Sequence, residues 1–263
     1  MIPYAEVIGD PVAQSRSPAI HGAWLAEAGI EAGYQATRIT HEEVETFLAG
    51  RRRDPAWRGC NVTAPLKQAV IPHLDRLDPA AARIGAVNCI VPEAGGLAGY
   101  NTDVDGVIAA LAGADLAGAS VAMIGAGGAA RAGLAALALL GAADIRLLAR
   151  DPDRAEPLRA IAPFAVFGFD WVAEAMAGTA AIVNASSLGM AHIGPIPAPL
   201  LDALAGAAPG AVAFDMVYSP PETDFLLATR EHGLMPVGGI VMLEGQARRA
   251  FRLFFGDLAI TQN

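Results

Sequence analysis

Of the 18 basic residues in this 263-residue chain, 17 are arginines and one, Lys67, is a lysine. An ammonium can lose its proton near working pH and a guanidinium cannot, so a lone lysine here is a candidate for proton transfer. Chance is the competing reading, since one lysine must fall somewhere. Lys67 follows Pro65, a residue suited to the first helical position. The spacing therefore predicts a helix from Pro65 with Lys67 in its first turn, where the dipole favours the uncharged amine. Asp103, in Asn101-Thr102-Asp103, begins another predicted helix, and on its own a first-turn charge or cap accounts for it better than chemistry. In Ser15-Arg16-Ser17-Pro18, Ser17 reads as a cap before proline, yet two hydroxyls at a helix N-terminus also suit a carboxylate.

Gly125-x-Gly127-x-x-Ala130 lies where a dinucleotide fingerprint belongs, between a strand and a helix. Glycines there let the backbone turn tightly and approach a pyrophosphate at the helix N-terminus; an ordinary glycine turn is the competing reading. The next strand runs into Ala149-Arg150-Asp151-Pro152-Asp153-Arg154. An acid at that strand end would bind a ribose 2′-hydroxyl, and an arginine would accommodate a 2′-phosphate. Ala149 removes the acid, and Arg150 and Arg154 can flank a phosphate, which favours NADP over NAD. Asp151 opposes that choice, and a solvated arginine beside an N-cap aspartate is the bland alternative. The five histidines show no metal-ligand spacing, His41-Glu42-Glu43 is not H-E-x-x-H, and no metal is expected. Cys60 and Cys89, without C-x-x-C, form neither a disulfide scaffold nor a zinc site and fit a reducing compartment.

These groups are carried by alternating strand-like and helix-like segments, the pattern of an α/β fold. Strands are expected at Tyr4–Ile8, Tyr34–Ile39, Asn88–Val91, Leu97–Tyr100, Ser120–Gly125, Asp144–Arg150, Ala180–Asn184 and Ala211–Asp215. Helices are expected at Pro18–Ala28, Glu42–Leu48 and Ala129–Leu140, in a segment from Val104, and in an amphipathic end containing Leu243, Ala247, Phe251 and Phe254. Arg51-Arg52-Arg53 reads as a solvated helix end.

The length allows one large domain or two ordinary ones. With 54% hydrophobic and 17% charged residues the chain has ample core material. A net charge of -9 argues against nucleic acid or an anionic membrane as main partner, though a small site can still be locally positive. Mean hydropathy is +0.39, and between Leu116 and Ala143 the only charge is Arg131. Glycines break that stretch, so strand, turn and helix explain it better than a membrane span. The uncharged run Ala175–Leu201 contains Asn184, His192 and prolines. No signal peptide is visible, and a soluble cytoplasmic protein is expected.

Together the motifs resemble shikimate dehydrogenase. They run from Gly9-Asp10-Pro11 through Ser15-Arg16-Ser17-Pro18 and His21 to Asn61-Val62-Thr63-Ala64-Pro65-Leu66-Lys67, Gly85-Ala86-Val87-Asn88 and Gly99-Tyr100-Asn101-Thr102-Asp103. Gly125-Ala126-Gly127-Gly128-Ala129-Ala130-Arg131, Asn184-Ala185-Ser186-Ser187-Leu188-Gly189-Met190, Asp215-Met216-Val217-Tyr218 and Met242-Leu243 with Gln246 follow in order.

The resemblance implies an α/β enzyme of two domains. Residues 1–104, completed by 238–263, would bind substrate, and 105–237 would form a Rossmann-like NADP domain. It implies reversible hydride transfer between shikimate and 3-dehydroshikimate in chorismate and aromatic amino-acid biosynthesis, by a monomer or homodimer. Lys67 and Asp103 would be the catalytic pair. A carboxylate beside the lysine would orient it, while its charge alone favours the ammonium. Ser15, Ser17 and Tyr218 would hold the substrate carboxylate, and Asn61, Thr63, Asn88, Asp103 and Gln246 the ring hydroxyls. Gly125, Gly127, Gly128, Ala129, Ala130, Arg150, Arg154, Ser186, Met190 and Gly239 would contact the cofactor. Gln14, Cys89, Glu244 and Asp151 depart from the family pattern. The alternatives are a quinate/shikimate dehydrogenase using NAD and a non-catalytic cofactor-binding regulator on the same fold.

Overall fold

Apolar strands and amphipathic helices alternate through two units, Met1–Thr102 with the segment from Gln246 onward, and Asp103–Gly245. The structure is a computed structural model that describes residues 1–191 and 193–256. His192 and the last seven residues of the 238–263 segment fall outside the described residues.

In the first unit the order is β1 (Tyr4–Gly9), α1 (Ser17–Glu27), β2 (Gly33–Arg38), α2 (Val44–Arg51), β3 (Trp57–Val62), β4 (Arg76–Leu77), α3 (Pro79–Ile84), β5 (Cys89–Glu93) and β6 (Gly96–Tyr100). The strands form one mixed sheet, β2-β1-β3-β5-β6-β4. β1 is parallel to both neighbours, and β5 runs antiparallel to β3 and β6. Ile8, Leu48, Trp57, Leu66, Ile90 and Leu97 fill one core cluster. Burying a side chain of that size stabilises the fold by roughly 1.5–3 kcal/mol.

Glu6 on β1 is fully buried. Its carboxylate accepts from Arg51 Nε (2.7 Å) and Nη2 (3.1 Å), Trp57 Nε1 (2.9 Å) and Thr37 Oγ1 (2.5 Å). Arg51 is therefore not part of a solvated helix end, because a buried carboxylate needs a cation and donors. Arg52 pairs with Asp75.

The second unit holds α4 (Asp103–Ala110), β7 (Ser120–Ile124), α5 (Gly128–Leu139), β8 (Asp144–Leu148), β9 (Ala165–Phe167), α6 (Val172–Met176), β10 (Ala181–Asn184), α7 (Ala198–Asp202), β11 (Val212–Asp215), α8 (Asp224–Glu231), β12 (Met235–Val237) and the start of α9 (Gly239–Phe255). Its sheet runs β12-β11-β10-β7-β8-β9, every neighbouring pair parallel. Counted from β7, this is a doubly wound order in which the chain moves outward on one side and then on the other. The progress of the chain across the sheet reverses between β7 and β10, which opens a crevice at their carboxyl ends. Val121, Met123, Ile182, Val183 and Phe214 are fully buried, as strands covered on both faces must be. The apolar stretch from Leu116 is thus β7, a glycine turn and α5. Among the described residues no helix is long and apolar enough to cross a membrane.

Candidate functional site

Two chain segments meet at Lys67. Pro65 does not start a helix; residues 64–70 are successive turns. The Lys67 carbonyl, which a helix would offer to Ile71, instead accepts from the Val87 amide (2.8 Å), and the Ile71 amide donates to Gln68 O (3.2 Å). Lys67 does not stand in a first helical turn, and the dipole argument for it lapses. What the segment provides is attachment, since the same bond draws Gly85-Ala86-Val87-Asn88 alongside.

Asn88 ends that segment in a buried polar network. Its Oδ1 accepts from the Thr102 amide (2.7 Å), and its Nδ2 donates to Thr102 Oγ1 (3.1 Å). Thr102 Oγ1 in turn donates to Gln246 Oε1 (3.4 Å). On β3, Asn61 Nδ2 donates to the Asn88 carbonyl (3.3 Å), while its Oδ1 accepts from the Tyr34 hydroxyl (2.6 Å). Asn61, Asn88 and Gln246 are all at least nine-tenths buried. Three amides from β3, the β5 entry and α9 therefore converge within the first unit. Buried amides are kept only where partners fix them.

Ser15 and Ser17 flank the N-terminus of α1 in an order that corrects the cap reading. Ser17 is the first helical residue, and the N-cap position is Arg16, which makes no side-chain cap. Ser15 Oγ accepts from the Ser17 amide (3.3 Å). Ser17 is buried and Arg16 exposed. Thr63 packs onto the end of β1, where a Cβ on Gly9 would collide with its Cγ2. That contact requires glycine at position 9.

Burial raises the thiols of Cys60 and Cys89, so neither is poised as a nucleophile. His21, fully buried, stacks on Tyr34 with ring centroids 4.2 Å apart and planes 1° apart. Neither of its ring nitrogens has a hydrogen-bond partner among the described residues, and burial lowers it to about 3. It is neutral at working pH.

Asp103 and Tyr218 belong to the second unit. Asp103 opens α4, and Tyr218 follows β11 as an exposed residue.

In the second unit, Gly125 follows β7 with φ +104, and a Cβ there would stand 2.9 Å from Ser186 Cβ. The loops after β7 and β10 thus touch at the switch point, where only glycine fits. Gly127 is the extended N-cap of the twelve-residue α5. Gly127, Gly128 and Ala129 line the opening of that helix, and a Cβ on either glycine would meet only open space. Ala130 is buried, seating the helix on the sheet. Accessible amides at a helix N-terminus beside a glycine turn fit a pyrophosphate. Arg150 and Arg154 are exposed beyond β8. Asp151 caps the turn Pro152–Arg154 by accepting from the Asp153 amide (3.1 Å), with Arg154 Nε 3.9 Å from its carboxylate. Its charge is already engaged on the loop's own amide and guanidinium. This donor set fits a dinucleotide bearing a 2′-phosphate.

Residues that sequence reasoning missed hold these loops. Asn184 Oδ1 accepts from the Ser186 amide (3.1 Å) and hydroxyl (2.7 Å), and its Nδ2 donates to Leu188 O (3.1 Å) and Asp215 Oδ1 (2.9 Å). Asp215 also accepts from the Val217 amide (3.0 Å) and Thr223 Oγ1 (2.5 Å), and burial raises its carboxyl. The segment bearing Ser186 and Met190 is thereby tied to the one bearing Tyr218. Gly239 starts α9 against the Met216 carbonyl, 2.5 Å from where its Cβ would be. Tyr34 and Thr102 were likewise missed as site residues, although Thr102 lies inside a quoted motif.

Comparison with known proteins places this geometry. The family model described as shikimate dehydrogenase substrate binding domain matches residues 7–90. A shikimate dehydrogenase (NADP(+)) from Sphingopyxis alaskensis is 46% identical over 262 residues, 97% of this chain and 91% of its own length. A shikimate 5-dehydrogenase from Listeria monocytogenes, solved with shikimate and NAD, superposes with a TM-score of 0.89 at 29% identity over 97% of this chain and 92% of that one. One from Thermus thermophilus, solved with NADP(H) and shikimate, gives 0.84 at 37% identity over 98% and 95%. Identity at this level along almost the whole chain, with a two-domain Rossmann-like backbone, makes this chain a member of the shikimate dehydrogenase family.

Proposed function

We propose that the protein catalyses reversible, NADP-dependent hydride transfer between shikimate and 3-dehydroshikimate. The observation that carries the reading is the convergence of Asn88 and Gln246 on Thr102, joined by Asn61 at the Asn88 carbonyl, beside the turn that bears Lys67. Directional amides suit a ring with several hydroxyls, each of which both donates and accepts. In this reading residues 1–104, completed by 238–263, bind the substrate, and residues 105–237 bind NADP.

Lys67 accepts the proton of the alcohol oxygen as hydride leaves the same carbon, and returns it in the reverse direction. Asp103 is the second member of the proposed catalytic pair. Ser15, Ser17 and Tyr218 hold the carboxylate, and Thr63 adds a hydroxyl toward the ring. Gly125, Gly127, Gly128, Ala129 and Ala130 position the pyrophosphate, Arg150 and Arg154 the 2′-phosphate, and Ser186, Met190 and Gly239 the rest of the cofactor. When bound, NADP supplies the nicotinamide that takes the hydride. Ala149 at the strand end and the exposed Arg150 and Arg154 support NADP over NAD, with Asp151 opposing them. A cytoplasmic location and a small-molecule partner belong to the same reading.

The test is absorbance at the reduced-nicotinamide band with shikimate or quinate, each with NADP and NAD. Shikimate with NADP should give the highest kcat/KM. A higher value for quinate with NAD, or no turnover in any pairing, would contradict the reading.

A further inference from the structure

We infer that Tyr34 is a positioning residue of the substrate site, acting through Asn61. The inference rests on the proposed role of Asn61 in substrate binding. Tyr34 stands near the start of β2, the edge strand of the first sheet, opposite Ala5 of β1. Its hydroxyl crosses β1 to reach β3 and donates to Asn61 Oδ1 at 2.6 Å. The Ser17 side chain approaches the same hydroxyl. One phenol therefore sits between a residue proposed for the carboxylate and one proposed for a ring hydroxyl.

An asparagine amide can be turned over with little change of shape, exchanging acceptor for donor. At Asn61 the orientation is selected at one end and held at the other. Tyr34 supplies a proton to Oδ1, while the Asn88 carbonyl requires an N–H at Nδ2. A reversed amide would set two carbonyl oxygens against each other at Asn88. Nδ2 has a second hydrogen, so the amide is presented as a donor, suited to an oxygen that accepts. Burial holds the phenol in its protonated, donating form.

The ring of Tyr34 is itself fixed by stacking face to face on His21 at 4.2 Å. Around His21 lie Trp24, Phe251 and Phe254. This gives a use to the buried histidine: as a neutral flat ring it sets the plane of Tyr34 and leaves the phenol hydroxyl to Asn61.

Tyr34→Phe keeps the stacked ring and deletes only the donor. Shikimate KM and directly measured Kd should rise about five- to twenty-fold, the range of one hydrogen bond in a buried site. NADP Kd should stay within about twofold and kcat within about threefold, because the change touches neither the cofactor loops nor the proton acceptor. In an Asn61→Ala background the same change should alter shikimate Kd by less than about twofold, because its route of action is gone. An unchanged shikimate Kd in the Tyr34→Phe enzyme would overturn the inference. So would equal effects with and without Asn61, or parallel losses in NADP affinity and melting temperature, which mark a structural role. Absence of shikimate turnover in the unmodified enzyme would instead refute the functional reading beneath it.

Discussion

The Val87 amide donates to the Lys67 carbonyl at 2.8 Å. That bond joins two motifs 20 residues apart in the chain and places the lone lysine next to the strand entry that carries Asn88. It replaces the helix that Pro65 suggests. The position of Lys67 is therefore set by a long-range backbone contact.

NADP preference is proposed to rest on the loop after β8. Arg150→Ala should weaken NADP by about 1.5–3 kcal/mol, the scale of a hydrogen bond to a charged group, and leave NAD nearly unchanged. Kd values for both cofactors check this. Equal losses would make Arg150 structural.

The role proposed for Gly125 is common to both cofactors. Alanine there meets a positive φ and the Ser186 side chain at 2.9 Å. Gly125→Ala should lower unfolding free energy by more than about 1 kcal/mol and weaken NAD and NADP to the same extent. Urea unfolding beside cofactor titration separates this pattern from that of Arg150→Ala.

The fold was legible wherever periodicity was clean. β1, β7, β10 and β11 are apolar runs, and α5 is read directly from its alanines and leucines. β3 was not legible, although it is central to its sheet and carries Asn61. Arg58, Gly59 and Asn61 interrupt its apolar pattern. Gly59 is imposed by packing, because a Cβ there would collide with Ile90 O and lie 2.7 Å from the Phe254 ring. No local signal announces contacts made by residues so distant in the chain. β9 and β12 are three-residue edge strands, too short for alternation to register. In the site, single residues such as Lys67 stood out by type. The residues that hold these side chains in place, Tyr34 and Thr102 in the first unit and Asp215 in the second, are ordinary residue types whose roles come from where each sheet puts them.

Tyr218→Phe should raise KM for shikimate by a factor matching about 1.5–3 kcal/mol, since it removes the hydrogen bond proposed to the substrate carboxylate. NADP affinity should not change. Steady-state kinetics with shikimate varied at saturating NADP make the comparison. An unaltered KM and kcat would remove Tyr218 from the site.

His21 gives stability a pH dependence. Folded, it is held near 3 by burial; unfolded, it titrates at about 6.5. The unfolded chain therefore binds a proton first as pH falls, so stability is present above about 6.5 and declines toward 3. Between about pH 7 and 5 the loss from this group is about 2 kcal/mol. His21→Phe should flatten that part of the curve in urea unfolding measured across the range. A slope identical to that of the unmodified protein would contradict the assignment.

Lys67 is proposed to move the proton of the reacting alcohol. Lys67→Arg keeps the charge and much of the length but cannot release a proton at working pH. The decisive measurement is kcat, with directly measured shikimate and NADP Kd, for the unmodified enzyme, Lys67→Arg and Lys67→Ala. Both variants should lose about 10²–10⁴-fold in kcat while both ligands still bind to the arginine variant. Near-normal turnover by the arginine variant, or substantial rescue of the activity that alanine loses, would show that Lys67 acts only as a fixed charge and would contradict the account.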